Sequence, residues 1–359
     1  MKKIIALLMV LSILFLTGCK KEEEPPVTES ISTAPTTQVT TTQKVEPVYY
    51  NFLTGEKRKS ATTPRPVAVT INNISTSLPQ YGISEADIIM EFPAEGGITR
   101  LIALYSDYSN MPNVCSIRSC RYYFPIFAQG FGAVYFCYGS NETLGTPTLK
   151  RIGIDYIDGN KVGDSLVFAR DQDRLQYYSL EHTAYLKGEN MSEIFKKYEF
   201  DTKLSEEYGD SAFSFSKTKI VHNDACKELT AIFSNYYESR FTYDEKQGVY
   251  LKEHNGDAHM DGKSNKQLAF ENVIILETDV ANYNGKSIIE LDWTGGTGYY
   301  ATKGTIRTLT WSKASEASPV CLFDENGKIL NLNIGKSYIG VGTSDVILPE
   351  PEVADTTAA

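Results

Sequence analysis

Charged side chains in the first half of the sequence are the clearest candidates for chemistry. They are Glu91, Glu95, Arg100, Arg118 and Arg121. A guanidinium group can bind a carboxylate or phosphate group through two parallel hydrogen bonds. Glu95-Gly96-Gly97 predicts a tight turn, because glycine lets the backbone approach another segment or a ligand closely. We predict an anion-binding pocket here. The alternative is a structural network in which the two glutamates pair with the arginines.

A second group of polar residues alternates histidine and aspartate in the second half of the sequence. It contains His254, Asp257, His259 and Asp261. Such side chains can ligate a metal ion. Residues 253–256, however, are typical of a hairpin turn or loop, where polar side chains are solvated or bond the backbone. We therefore predict no metal site.

Known catalytic motifs are absent from the sequence. It has no G-x-S-x-G nucleophile elbow, no phosphate-binding P-loop and no His-Glu-x-x-His pair. No serine or cysteine is accompanied by a histidine and an acid in a pattern that would activate it. We predict no cofactor, and we favour a non-enzymatic role over an enzymatic one.

Composition limits the classes of partner. The formal net charge is -10, and 42% of the residues are hydrophobic. Nucleic acids and anionic lipid headgroups both require a basic surface, so neither is an expected partner. The hydrophobic share is that of a globular protein with a sizeable core.

The number of cysteines after Cys19 is odd, which does not fit a closed disulfide framework. Of the six cysteines, five remain when Cys19 is set aside, and an odd set cannot pair completely. We expect mostly buried free thiols. A disulfide between Cys115 and Cys120 is left open.

The N-terminus has the layout of an export signal. Lys2 and Lys3 precede a largely apolar run over residues 4–16, and Leu-Thr-Gly-Cys occupies residues 16–19. The run is shorter than the ~20 residues that a membrane span needs. Its ending resembles the bacterial lipoprotein box, which implies removal of residues 1–18 and a lipid on Cys19. We expect a protein anchored to the outer face of the cell membrane. The alternative is an ordinary signal peptide.

The rest of the chain divides by composition. Residues 19–50 and 348–359 have few large apolar residues and predict a disordered stalk and a disordered tail. Residues 60–212 alternate predicted strands and helices, whereas residues 213–347 hold short β runs separated by turn signals. The predicted fold class is α+β, with a mixed α/β N-terminal domain followed by a mostly-β C-terminal domain.

Apolar runs and caps predict the individual elements. The N-terminal domain has predicted strands at residues 66–71, 88–92, 99–105 and 133–138, and predicted helices at 122–131, 141–152 and 189–198. The C-terminal domain has predicted strands at residues 229–236, 240–243, 249–252, 273–277, 288–293, 298–302, 305–311, 320–323 and 338–341.

Several blocks of residues follow one another in a specific order. They include Pro-Val-Ala-Val-Thr-Ile-Asn-Asn at 66–73, Glu-Gly-Gly-Ile-Thr-Arg at 95–100, Ser-Ile-Arg-Ser-Cys-Arg at 116–121 and Gly-Asp-Ala-His-Met-Asp at 256–261. In this order the chain resembles the YerB-like family of Gram-positive lipoproteins, which pairs an N-terminal and a C-terminal domain of unknown function. The resemblance adds His182, in a His-Thr-Ala-Tyr block, as a candidate ligand-binding residue. Glu181 stands where the family usually has proline.

Residues 85–90 and 116–119 also resemble, over a shorter stretch, the LytR-CpsA-Psr phosphotransferases, which attach wall polymers from lipid-linked pyrophosphates. The aspartate that follows the arginine in those enzymes is absent here.

Three hypotheses about function follow. The leading one is a binding or accessory module of the cell envelope that holds a wall fragment, a lipid-linked precursor or an envelope protein. The second is an envelope phosphotransferase or hydrolase acting on a phosphoester or glycan precursor, with Glu91 or Glu95 as the base. The third is a structural scaffold for protein interactions.

Overall fold

A computed structural model describes residues 47–209 and 213–349. The predicted signal peptide, Cys19 and most of the predicted stalk and tail lie outside the described residues. The described residues form one compact unit. Its α-helices are Tyr123–Gln129, Gly145–Arg151, Gly159–Val162, Met191–Lys197 and Glu206–Gly209.

A long mixed sheet is the centre of the described chain and contains eleven strands there. In spatial order, the main path is Asp224–Ala225, Thr305–Ser312, Gly295–Thr302, Asn272–Leu276, Ser337–Val341, Ile88–Ala94, Ile98–Tyr105, Val67–Asn72, Val134–Cys137 and Tyr156–Asp158. Cys321–Phe323 pairs beside this path with Thr305–Ser312.

One strand near the C-terminus joins the two halves of the sequence. Ser337–Val341 pairs in parallel with Asn272–Leu276 on one side and with Ile88–Ala94 on the other. Strands from both sides of the predicted boundary at residues 212 and 213 therefore share one sheet. All residues of these three strands are buried, as expected for strands that are covered on both faces.

A second sheet comes entirely from the C-terminal half. Its order is Asp257–Ala258, Val249–His254, Tyr237–Asp244, Glu228–Ser234 and Asp345–Ile347, with Ala269–Phe270 paired beside Val249–His254. Smaller sheets combine Val114–Cys115, Ala184–Leu186 and Phe168–Arg170; Tyr49–Tyr50 and Lys57–Arg58; Ser214–Phe215 and Asn331–Leu332; and Val280–Asn282 and Ile289–Leu291. The fold class is α+β, as predicted.

Neighbouring residues of the central strands enter different hydrophobic clusters, because side chains alternate between the faces of a sheet. Ile89 lies in a cluster with Phe241 of the second sheet. Met90 lies in another cluster with Phe124 of the helix Tyr123–Gln129. The second sheet thus packs on one face of the central sheet, and the helix Tyr123–Gln129 packs on the other.

The turn between Ile88–Ala94 and Ile98–Tyr105 explains its two glycines. Gly96 and Gly97 have φ values of 77° and 71°, in the left-handed region that residues with a Cβ rarely adopt. The carbonyl oxygen of Gly97 accepts a hydrogen bond of 2.6 Å from the Ser234 hydroxyl of the second sheet. The predicted tight turn is present, and it contacts another segment of the chain.

Candidate functional site

Two polar clusters lie on opposite faces of the central sheet, and consecutive residues of the same strand reach both. The Thr99 hydroxyl donates to Glu91 on one face. Arg100, the next residue, pairs with Asn72 in the sheet register and donates from Nη1 to the Ser119 carbonyl oxygen at 2.6 Å on the other face. Because side chains alternate along a strand, the cluster around Glu91 and the cluster around Arg100 lie on opposite faces of the sheet.

The arginine cluster comprises Arg100, Arg118, Arg121, Glu95, Glu181 and His182. Its centre is Arg100, which is only 5% exposed. The Arg100 Nε atom is buried and has no hydrogen-bond partner among the described residues. Burial, followed by the positive charges of Arg121 and Arg118, lowers the pKa of Arg100 to about 10. The guanidinium thus stays charged at neutral pH in a locally positive environment.

The other two arginines pair with glutamates at the edge of the cluster. Arg121 forms an ion pair with Glu95. Arg118 donates from Nη1 to Glu181 Oε2 at 2.9 Å, and the Glu181 side chain is 56% exposed. The exposed pair can open toward solvent at little energetic cost, since such pairs contribute about 0–1 kcal/mol.

His182 closes the cluster next to Glu181. It is buried, and its Nδ1 atom lies 2.9 Å from the Asn72 amide nitrogen. Its Nε2 atom faces Glu181 Oε1 at 3.6 Å. Burial lowers the pKa of His182, and the positive charges of Arg118 and Arg174 add to this against the opposing effect of Glu181. The imidazole is therefore neutral at pH 7 and offers a hydrogen bond rather than a charge.

Glu91 does not join the arginines, which corrects the sequence-based grouping. Its strand places it on the opposite face of the sheet, where it is fully buried. Ser239 and Tyr338 donate to Oε2 at 2.7 and 2.9 Å, and Asn73 and Thr99 donate to Oε1 at 3.0 and 2.7 Å. We call this set, together with Lys252, the glutamate network.

Lys252 is the cation of the glutamate network. Its Nζ lies 3.5 Å from Glu91 Oε2, and neither side chain is exposed by more than 1%. Burial opposes ionisation of Glu91, but Lys252 and the hydroxyl donors hold its pKa below the usual range. The two residues come from different halves of the sequence. This buried pair therefore fastens the second sheet to the central one.

Two histidines extend the glutamate network. His259 Nδ1 lies 3.1 Å from Lys252 Nζ, and His259 Nε2 lies 3.0 Å from Gln80 Oε1. His254 Nδ1 lies 3.4 Å from the Asn73 amide nitrogen. Burial lowers the pKa of His254 to about 4 and that of His259 well below 6.5. Both rings are neutral at pH 7.

Residues 253–256 belong to a hairpin, as predicted, because Val249–His254 pairs antiparallel with Asp257–Ala258. The expectation of a solvated side chain is wrong for His254, which ends its strand with only 2% of its surface exposed. His259 is 1% exposed. Among the described residues, no three His, Cys, Asp or Glu side chains are placed to hold a metal ion.

Four residues of the glutamate network and its surroundings were not predicted from the sequence: Lys252, Ser239, Tyr338 and Gln80. The run Val-Tyr-Leu-Lys-Glu-His at 249–254 has no apolar–polar alternation that would mark Lys252 as buried. In the structure, Tyr250, Lys252 and His254 alternate with more exposed residues and occupy the buried face of their strand. A lysine on a buried face requires a partner, and that requirement points to a buried carboxylate.

The thiols are free in the described part of the chain. Cys115, Cys120, Cys137 and Cys226 are buried, and Cys321 is half-buried. Burial raises the pKa of Cys115 to about 12, which makes this thiol unreactive at neutral pH. Cys115 and Cys120 are not joined by a disulfide.

The comparisons with known proteins agree with the α+β fold. Family models described as the N-terminal and C-terminal domains of a protein of unknown function, DUF3048, match residues 53–201 and 229–339. The chain is 28% identical over 333 residues to "Putative lipoprotein YerB" of Bacillus subtilis (strain 168), covering 91% of each chain. The crystal structure of the YerB protein from Bacillus subtilis has a TM-score of 0.71 at 23% identity, covering 84% of this chain and 100% of that one. The chain therefore belongs to the YerB-like family of paired domains of unknown function.

None of the helices in residues 47–209 and 213–349 has the length and apolar character that crossing a membrane requires.

Proposed function

We propose that this chain is a lipid-anchored extracytoplasmic protein that binds an anionic group of a cell-envelope molecule at the arginine cluster. The anchoring part rests on the resemblance of residues 16–19 to a lipoprotein box and on the naming of the Bacillus subtilis relative as a lipoprotein. The binding part rests on the geometry of the three arginines. Phosphate of a lipid-linked precursor and carboxylate of a wall fragment share the chemistry that a guanidinium recognises.

The observation that carries the proposal is the state of Arg100. A guanidinium that is 5% exposed normally meets a carboxylate, because an unpaired buried charge is costly. Arg100 instead bonds a neutral carbonyl, has no partner at Nε among the described residues, and lies near two more arginines, whose effects on its pKa are larger than the opposing effect of Glu95. An incoming anion would offset the repulsion between the three cations.

Binding is favoured over phosphoryl or glycosyl transfer because the nearby carboxylates are occupied. A general base must reach the proton that it removes. Glu95 pairs with Arg121 and Glu181 pairs with Arg118, while Glu91 is buried on the other face of the sheet. These pairings suit a binding site in which a ligand anion replaces a glutamate as the hydrogen-bond acceptor of an arginine.

Substitutions at the cluster should change anion affinity in opposite directions. We expect Arg118→Ala and Arg100→Gln each to weaken binding at least about tenfold, since each removes a charge-assisted hydrogen bond. We expect Glu181→Gln to tighten binding several-fold, because Glu181 competes with the ligand for Arg118. Isothermal titration with glycerol phosphate and with a soluble muropeptide would separate the phosphate source from the carboxylate source.

The matched control is Arg151→Ala, which breaks the exposed Arg151–Glu316 pair elsewhere on the chain. It should leave both affinities unchanged. Equal loss in the Arg151 and Arg118 variants would mean that only net charge matters and would contradict the proposed site. Failure of both ligands to bind at low salt, where surface electrostatics is strongest, would also contradict it.

The anchor makes a separate prediction. Cys19→Ser should move the protein from the membrane fraction to the soluble extracellular fraction, because the thiol that accepts the lipid is gone. Fractionation of cells followed by immunoblotting measures this change. Ser12→Ala, a substitution within the apolar run, is the control and should leave the protein on the membrane. Retention of the Cys19→Ser protein on the membrane would refute lipid anchoring.

A further inference from the structure

A cavity of about 470 Å³ lies where a hairpin at the start of the described chain meets the segment 213–217. The hairpin pairs Tyr49–Tyr50 with Lys57–Arg58. Most of the residues that line the cavity fall outside both parts of the chain that the family models match. The volume is within the range of small-molecule sites.

Aromatic side chains form much of the cavity wall. They are Tyr49, Tyr50, Phe52, Phe213 and Phe215. The three phenylalanines are half-buried and pack against a hydrophobic cluster of the core, which fixes the positions of their rings. A Cβ atom on Gly55 would lie 2.5 Å from Cγ of Phe215. Glycine at this position therefore lets the Phe215 ring lie at the wall.

The charged side chains that line the cavity are both positive. They are Arg58 and Lys217, and none of the described aspartates or glutamates joins them, although the formal net charge of the chain is -10. Neither cation forms an ion pair within residues 47–209 and 213–349. The cavity is therefore locally positive and suits an anion.

Arg58 is held in place by neutral acceptors. Its Nη1 donates to the Thr62 carbonyl oxygen at 2.5 Å, and its Nη2 donates to the Ala61 carbonyl oxygen at 3.1 Å and to Thr63 Oγ1 at 2.5 Å. These bonds fix the guanidinium at the wall without neutralising its charge. Lys217 is exposed, and its long side chain can adjust to a bound anion. A preorganised charge favours binding because less freedom is lost when the ligand arrives.

This cavity is distant from the arginine cluster. Asn51, which lines the cavity, donates from Nδ2 to Ser106 Oγ at 2.8 Å. Ser106 directly follows the strand Ile98–Tyr105, whereas Arg100 lies near the beginning of that strand. The six steps of extended chain from Arg100 to Ser106 correspond to roughly 20 Å. One small anion cannot contact both places.

We propose that this cavity binds an anionic sugar, whose carboxylate or phosphate group contacts Arg58 and Lys217. A sugar ring has a face of C–H groups that packs on aromatic side chains, and its hydroxyl groups need polar partners. The Tyr49 and Tyr50 hydroxyls, which bond no other described residue, are available for them. The site does not depend on anion binding at the arginine cluster.

Saturation-transfer NMR titrations of the full chain test the proposal, with glucuronate and glucose 6-phosphate as the probes. Glycerol phosphate is present throughout, so that an anion without a ring occupies the arginine cluster. We expect at least one probe to bind saturably and at least about tenfold more tightly than glucose, which lacks the charge. The tighter probe identifies the anionic group. Cyclohexanecarboxylate keeps a ring and a carboxylate but has no hydroxyl groups, and it should bind more weakly than glucuronate.

Two variants with matched controls locate the site. Lys217→Ala should weaken binding of the probes several-fold, whereas Lys219→Ala, at an exposed lysine outside the cavity, should not. Tyr50→Ala should also weaken binding several-fold, whereas Tyr236→Ala, at an exposed tyrosine elsewhere on the chain, should not. All four side chains are exposed, so these variants should fold normally.

Three results would overturn the proposal. One is the absence of saturable binding by both probes. Another is an affinity for glucose or cyclohexanecarboxylate that equals the affinity for the probes. The third is an equal effect of the two substitutions within either pair, which would place the bound sugar outside this cavity.

Discussion

Replacing Glu91 by Gln or Lys252 by Met is expected to lower the free energy of unfolding by about 3–5 kcal/mol in each case. Each change leaves the remaining charge buried without its partner, and both side chains are at most 1% exposed. For Glu91→Gln, the added amide NH₂ would also face one of the hydroxyl or amide donors that now bond the carboxylate. Urea unfolding of the purified variants measures the loss.

The double variant measures how much the interaction between Glu91 and Lys252 contributes to stability, apart from their contacts with other residues. Glu91→Gln with Lys252→Met should lose clearly less than the sum of the two single losses, because neither unpaired charge remains. Arg151→Met, which breaks an exposed pair, is the control and should change stability by no more than about 1 kcal/mol. Strict additivity of the two single effects would show that the two charges do not stabilise each other.

Acid should destabilise the protein well before its carboxylates titrate. The sequence has four histidines, and the structure lowers the pKa of all of them: His182, His222, His254 and His259. Burial is the largest cause in each case. In the unfolded chain these groups titrate near 6.5, so below that pH the unfolded state binds more protons. Stability is therefore complete above about pH 6.5 and is lost as the pH falls toward the folded-state values.

The size of the effect follows from His254, which is almost fully buried. A pKa lowered from 6.5 to about 4 corresponds to a loss of up to about 3 kcal/mol at pH 4. The free energy of unfolding, measured in urea at several values between pH 7.5 and 4.5, should fall with a slope equal to at least about two protons near pH 5. His254→Phe should remove about one proton from that slope. A stability that stays constant or rises over this range would contradict the buried neutral histidines.

Local patterns predicted the central strands well. The predicted strands at 273–277 and 338–341 agree with Asn272–Leu276 and Ser337–Val341 to within one residue at each end. The predicted helix at 141–152 begins later, at Gly145. The Asn141 side chain accepts from the backbone N–H groups of Leu144 and Gly145 in the turn that precedes it.

Long-range pairing was not predictable in the same way. Nothing local in Ser337–Val341 states that it inserts between Asn272–Leu276 and Ile88–Ala94. Pairing between distant strands depends on how the faces of the sheets and helices pack against each other. The local pattern of a single sequence does not predict that packing. This is also why Lys252 could not be matched with Glu91 in advance.

The arginine cluster was partly predictable. Residue type singled out Arg100, Arg118 and Arg121, and the structure brings them together. Glu91 was wrongly grouped with the arginines because successive residues of a strand point to opposite faces of the sheet. Its side chain lies on the face opposite to the arginine cluster. Glu181 supplies the partner of Arg118.

A crystal structure of the protein soaked with glycerol phosphate tests the central claim most directly. The account predicts a phosphate group within hydrogen-bond distance of Arg100 and Arg118, with the Glu181 side chain turned away toward solvent. A phosphate bound elsewhere, with the Arg118–Glu181 pair intact, would contradict it.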